Sequence, residues 1–189
     1  MDEAREGQDR KPAGPRKPKP PRKVSPTYLE NAALHYLKRY AATQSQLKRV
    51  LLRRVDKSLK FHGGDRAEAL GWMDALVAKL IRNGLLNDEA YARMKAHSLR
   101  ASGRSTRMIA QKLRMKGVSA ELVTQKLADA TAEVSDEDAA RIWARKKRLG
   151  PFRKNASTRE ENRQRDLAAL ARAGFSFGIA KKIIDSAPE

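Results

Sequence analysis

His35, His62 and His97 are the side chains best suited to proton transfer or metal ligation, and their spacing supports neither. No HxxxH or HExxH occurs, and the absence of cysteine removes thiolate ligands, thiol nucleophiles and disulfides together. Gly63-Gly64 precedes a helical stretch but lacks the Gly-Lys-Ser/Thr that completes a phosphate-binding loop. Asp136, Glu137 and Asp138 could attract a divalent cation, yet a helix starting at Ser135 favours negative charge in its first turn, which explains the cluster with fewer assumptions. The sequence therefore predicts a non-enzyme with no catalytic residue, no metal ligand and no cofactor.

What remains is positive charge. Against 22 acidic residues stand 41 Lys and Arg, a formal net charge of +19, and such a field attracts a polyanion. The alternative, an ordinary solvated surface, would mix the two signs more evenly. Arg104, Arg107, Lys112, Arg114 and Lys116 surround an apolar seam of Ile109 and Leu113; Arg141, Arg145, Lys146 and Arg148 repeat the theme, and Arg53 and Arg54 form a smaller group upstream. Long cationic side chains follow a phosphate backbone without reading bases. With aromatics at 5% and spaced mostly as core positions, base-by-base stacking is not expected. These eleven cations are the candidate contact residues.

The elements that position them read as helices throughout, with no alternating apolar run to demand a strand. Ser25-Pro26-Thr27 opens the first helix, with Leu29, Ala33, Tyr36, Leu37 and Tyr40 as its stripe. Thr43 opens the second, through Leu47, Val50, Leu51 and Val55; KSLKFHGGD then reads as a loop. Asp65 caps a third helix ending near Gly84, and Asn87-Asp88-Glu89 start a fourth that runs to about Arg100. Ser105 caps a fifth, ended by Gly117, and Ser119 a sixth, with Leu122, Val123 and Leu127 inward and Lys126 on its surface. Ser135 starts a seventh that continues to Leu149, where Gly150-Pro151 stops it. FRKNASTREEN is a polar loop; from about Arg159 or Arg163 a helix leads through Leu167 and Leu170 to Gly174, and a last helix follows Phe175-Ser176.

The run Leu86-Asn87-Asp88-Glu89-Ala90-Tyr91-Ala92, then Gly103, Ile109, Leu113 and Lys116-Gly117-Val118, resembles the central signature of the RecX family, bacterial regulators of the RecA recombinase. The resemblance spans roughly residues 26–185. It implies three tandem three-helix units, insertion along the RecA filament with contacts to protomers and DNA, and inhibition or tuning of strand exchange and ATP hydrolysis in recombination, repair and the SOS response.

An internal repeat supports the array independently. Leu113-x-x-x-Gly117-Val118-Ser119-x-x-Leu122 aligns with Leu170-x-x-x-Gly174-Phe175-Ser176-x-x-Ile179, so helix, turn and helix recur. The expected fold is all-α: an elongated array of three-helix, helix-turn-helix-like repeats at 25–84, 85–133 and 134–189. A compact bundle with a chance repeat is the alternative. Residues 1–24, rich in Pro, Lys and Arg, read as a disordered tail, either an electrostatic arm or a solvating extension. No apolar run approaches the roughly 20 residues that span a bilayer, and the amino terminus carries no signal-like h-region, so a cytoplasmic protein is expected; a monomer is expected as well. Its partners would be the RecA filament and single- or double-stranded DNA, with no membrane. A free-standing helix-turn-helix DNA-binding protein or repressor is the competing function, because Ile109 to Leu127 contains helix, glycine turn and helix.

Overall fold

The computed structural model describes residues 20–187; most of the expected tail, residues 1–19, lies outside them. Among the described residues the chain forms nine α-helices, two short 3-10 turns and no strand. They are α1 (Pro26–Leu37), α2 (Gln44–His62), α3 (Arg66–Arg82), α4 (Asp88–Ala101), α5 (Thr106–Met115), α6 (Ala120–Glu133), α7 (Asp136–Lys147), α8 (Arg159–Arg172) and α9 (Phe177–Ile184).

Local chemistry sets nearly every boundary. The Oγ atoms of Ser25, Ser105, Ser119, Ser135 and Ser176, Thr43 Oγ1 and the Asn87 side chain each accept the amide three residues on, satisfying one orphan donor of the helix start. At the far ends Gly117 (φ 81°) and Gly174 (φ 90°) adopt the left-handed conformation, and Val118 N and Phe175 N bond back to Leu113 O and Leu170 O. The aligned repeat is therefore the same motif in space.

Each consecutive helix triple buries its own cluster. Leu29, Leu47, Leu51, Val55 and Leu80 form the first; Tyr91, Ile109, Leu113, Val123 and Leu127 the second; Ala139, Ala144, Leu167, Leu170 and Ile183 the third. A fully buried Leu or Ile contributes roughly 1.5–3 kcal/mol, so no unit of this size is rich in core. The units compensate by stacking through a junction that occurs twice. Thr43 Oγ1, at the start of α2, donates to Lys116 O just before Gly117; Ser105 Oγ, at the start of α5, donates to Ala173 O just before Gly174. Beside them Gln44 N donates to Asp88 (2.8 Å) and Thr106 N to Asp136 (3.0 Å), each aspartate being the first residue of the next unit's first helix. Units that meet neighbours through one repeated contact form a solenoid-like array.

Several expectations are corrected. Lys57–His62, expected as loop, continues α2, because Ser58 is buried and accepts Val24 N (2.7 Å) while Leu59 packs on the first core. The same contact buries Val24, so the core begins before Ser25. Tyr40 lies beyond α1, half exposed, its ring 5.2 Å from Tyr36 rather than in the helix stripe. α7 stops at Lys147, with Arg148 left-handed (φ 54°), before Gly150-Pro151 is reached. A 3-10 turn at 150–152 leads into the polar loop and a second, at 156–158, lies within it, while α8 starts at Arg159, the earlier of its two expected starts. Lys126 is not a surface residue: buried, it bonds Glu89 (2.8 Å), which raises the ammonium pKa.

Candidate interaction face

α5 is the bridge on which the candidate cations converge. Its first turn abuts the third unit, where a Cβ on Gly174 would meet Ser105 Oγ at 2.6 Å; its last turn abuts the first, where Gly117 sits against Ser45. Ile109, Ala110 and Leu113 face inward, which leaves Arg107, Lys112 and Arg114 exposed with Met115 at 67% exposure. Helical spacing puts Arg107 and Arg114 on one row and Lys112 and the half-buried Lys116 on the next.

Arg49 shares the basic face of α2 with Arg53 and Arg54 without being one of the eleven candidates; its guanidinium donates to Met115 O (3.2 Å) and ties α2 to the end of α5. Arg53, one turn further along α2 on the same row, extends the basic surface. Arg54 turns toward α1, donating to the Tyr28 hydroxyl (3.2 Å), and so stands apart.

A second basic group gathers where the second unit meets the third. Arg104 stacks over the Trp143 ring at 4.3 Å and Lys147 approaches the same ring at 5.4 Å, favourable cation–π geometry. Arg141, Ile142, Arg145 and Lys146 line a cleft of about 350 Å³ on α7 together with Asp138. Glu137 partly offsets this group, reaching Lys182 at 2.6 Å and Arg141 at 3.9 Å. Arg148 points from the end of α7 toward α8 and lines a different cleft. The eleven cations thus form two groups joined by α5, with Arg54 and Arg148 on their margins.

Arg100 holds the second junction, and its role was not legible in a chain this rich in arginine. Its side chain is 1% exposed; it donates to Val134 O (2.6 Å), to Arg104 O (3.1 Å) and to the Asp136 carboxylate. Asp136 also accepts Thr106 Oγ1 at 2.9 Å. Burial pushes the Asp136 carboxyl up, but the bonds from Arg100 and Thr106 and the guanidinium charge outweigh it and hold its pKa below the ordinary carboxylate range. Asp136 is thus a junction residue rather than only a helix-start charge. Asp138 does serve the helix start, exchanging hydrogen bonds with Ser135.

The motif Gly174-Phe175-Ser176-Phe177-Gly178 has the outward form of a nucleophile elbow. Its context is helix, turn and helix rather than strand, and Ser176 Oγ is engaged by Ile179 N as a cap. His62 is engaged with Pro21 O and His97 with Glu133, and His35 lies on α1 in the first unit. Among the described residues no cluster suited to a metal ion occurs, and no helix is long and apolar enough to cross a membrane.

Comparison with known proteins gives one answer. The profile of "RecX, second three-helix domain" matches residues 87–127. The chain is similar to "Regulatory protein RecX" of Myxococcus xanthus (strain DK1622), 81% identical over 100% of both chains. It is similar to "Regulatory protein RecX" of Agrobacterium fabrum (strain C58 / ATCC 33970), 34% identical over 84% of this chain and 82% of that one. Among solved structures it resembles one described as "Crystal structure of regulatory protein RecX", with TM-score 0.60 and 23% identity, over 85% of this chain and 72% of the other; that likeness bears on the fold.

Proposed function

Since the chain belongs to the RecX family, we propose that this regulatory protein binds the RecA–DNA filament without catalysing a reaction and acts by occupancy. The contact surface is the basic face carried by α5 and α7, and the outcome is inhibition of strand exchange and ATP hydrolysis. The same surface gives a weaker, salt-sensitive affinity for free single- and double-stranded DNA. One copy acts as a monomer, in the cytoplasm where the filament is.

The observation that carries this reading is the bridging position of α5. It sets two basic groups at fixed spacing along a stacked array, which suits a long periodic polyanion-containing assembly better than a single site. Phosphate neutralisation alone leaves an affinity that falls with salt at a log-log slope near −0.9 per contact on duplex DNA; contacts to protein protomers leave a remainder that salt does not remove.

The competing repressor reading requires the helix after Gly117 to enter the major groove. That helix, α6, carries Glu121, Asp129 and Glu133, and its one lysine is buried against Glu89. A recognition helix of this charge would be repelled by phosphate.

The experiment is charge reversal at Lys112, Arg114, Arg141 and Lys146, all exposed, followed by binding to naked DNA, to RecA alone and to the nucleotide-bound filament across a salt series. The expected result is weaker filament binding and recovery of ATP hydrolysis with helix content unchanged. Equal affinity of the wild type for naked and RecA-coated DNA, with no effect on RecA turnover, would leave a plain DNA-binding protein.

A further inference from the structure

Between the end of α7 and the outer row of α8 lies a cleft of about 490 Å³, lined among others by Lys147, Arg148, Arg153, Arg165, Asp166 and Arg172. Its carboxylate is already engaged. Asp166, 1% exposed, accepts Gly150 N (2.8 Å), Arg153 Nε (2.8 Å) and Arg153 Nη2 (2.6 Å). Arg148, Arg165 and Arg172 are exposed and have no carboxylate within ion-pair distance among the described residues. Like charges gathered round one cleft repel, and an anion placed among them relieves the repulsion.

The backbone of Arg148 is the second observation. Among the described residues it is the one non-glycine with positive φ (54°). α4 and α7 end in the same way: Gly103 N bonds Arg100 O and Arg104 N bonds Leu99 O, just as Arg148 N bonds Arg145 O and Leu149 N bonds Ala144 O. At the shared left-handed position α4 has the unstrained glycine and α7 an arginine. Strained residues that the surrounding structure holds in place cluster at functional positions. Here the Asp166 bond to Gly150 N fixes the following loop, and the guanidinium lines the cleft.

We propose that this cleft is a binding site for a terminal, multiply charged phosphate group, carried either by a free pyrophosphate-like anion or by the end of a nucleic-acid strand. Guanidinium forks match the paired oxygens of phosphate, and a terminal phosphate or pyrophosphate brings more charge than one internal phosphodiester. Arg148 and Arg165 supply the principal contacts, with Arg172 and Lys147 at the edges. The site adjoins the α5–α7 face through Lys147 and Arg148 but is centred on α8, and it does not depend on the filament reading.

The test uses the full chain without any partner: calorimetric titration with pyrophosphate at low salt, beside thermal melting. Saturable one-to-one binding is expected. Arg148→Gly should weaken it by roughly tenfold, the loss of a charge-assisted hydrogen bond, while raising the melting temperature because the left-handed strain is relieved. Arg165→Ala should weaken binding similarly without that gain, and Lys57→Ala on α2 should leave it unchanged. Single-stranded decamers with 5′-phosphate or 5′-hydroxyl ends separate the sources. Preference for the phosphorylated end, lost in Arg148→Gly, assigns the strand terminus; equal binding of the two decamers, with pyrophosphate still bound, assigns the free anion. Absence of saturable pyrophosphate binding, or an affinity indifferent to both arginine substitutions, overturns the proposal.

Discussion

Replacing Arg100 by methionine keeps the length and apolar stem of the side chain and removes its guanidinium from the junction between the second and third units. Two carbonyls, Val134 O and Arg104 O, lose their donor, and Asp136 keeps only Thr106. Breaking a buried charged pair costs about 3–5 kcal/mol where the orphaned partner stays dry. Asp136 is 32% exposed at its side chain and rehydrates in part, which places the loss near the lower end, about 3 kcal/mol. For a chain of this size each kcal/mol moves the melting midpoint by roughly 2–4 °C, so a fall of about 6–12 °C is expected. Trp72 lies in the first unit and Trp143 at the affected junction, so Trp72→Phe and Trp143→Phe backgrounds report the two ends separately. The Trp143 transition should move ahead of the Trp72 transition. Acid provides a second readout. A carboxyl with a depressed folded pKa stabilises above its unfolded value of 3.8 and loses that contribution as pH falls through the lower folded value. The gap between wild type and R100M should therefore narrow below about pH 4. A midpoint shift under ~2 °C, coincident movement of both tryptophans, or a gap that persists unchanged into acid would refute the role assigned to Arg100.

Gly103→Ala and Gly63→Ala share a positive φ, but the first Cβ would meet Ala139 O and Trp143 N at 2.9 Å and the second meets nothing within 4 Å. Urea denaturation should show a loss of about 3 kcal/mol for Gly103 against about 1 kcal/mol for Gly63, and equal losses would mean that α7 yields to the intruding methyl. A chain begun at residue 20 keeps Val24 and its bond to Ser58, whereas one begun at residue 25 loses both. The longer form should be the more stable by roughly 2 kcal/mol in the same assay, with matching circular dichroism; identical midpoints would exclude Val24 from the core.

Helix starts, helix ends and apolar stripes were readable from the sequence because each is an interaction between residues three or four apart. Ser105 bonding Met108 N, or Gly117 turning after Leu113, needs nothing from the rest of the chain. The repeat was readable for the same reason, since Gly117 and Gly174 end equivalent helices. The failures fall where a distant partner decides. Lys57–His62 stays helical because Val24 reaches Ser58 across 34 positions, and Lys126 is buried because Glu89 of another helix meets it. The candidate cations were identifiable by type but not by neighbourhood. Whether Arg53 continues the α5 surface, Arg104 covers a tryptophan, or Arg148 turns toward α8 depends on how three units stack. The sequence by itself thus determined that the units are helical, where most of their helices start, and that charge is the chain's chemistry. The tertiary structure alone decided that Arg100 is a buried clasp while Arg148, of the same residue type, lines an open cleft, because burial and pairing are set by the junctions and not by any local pattern.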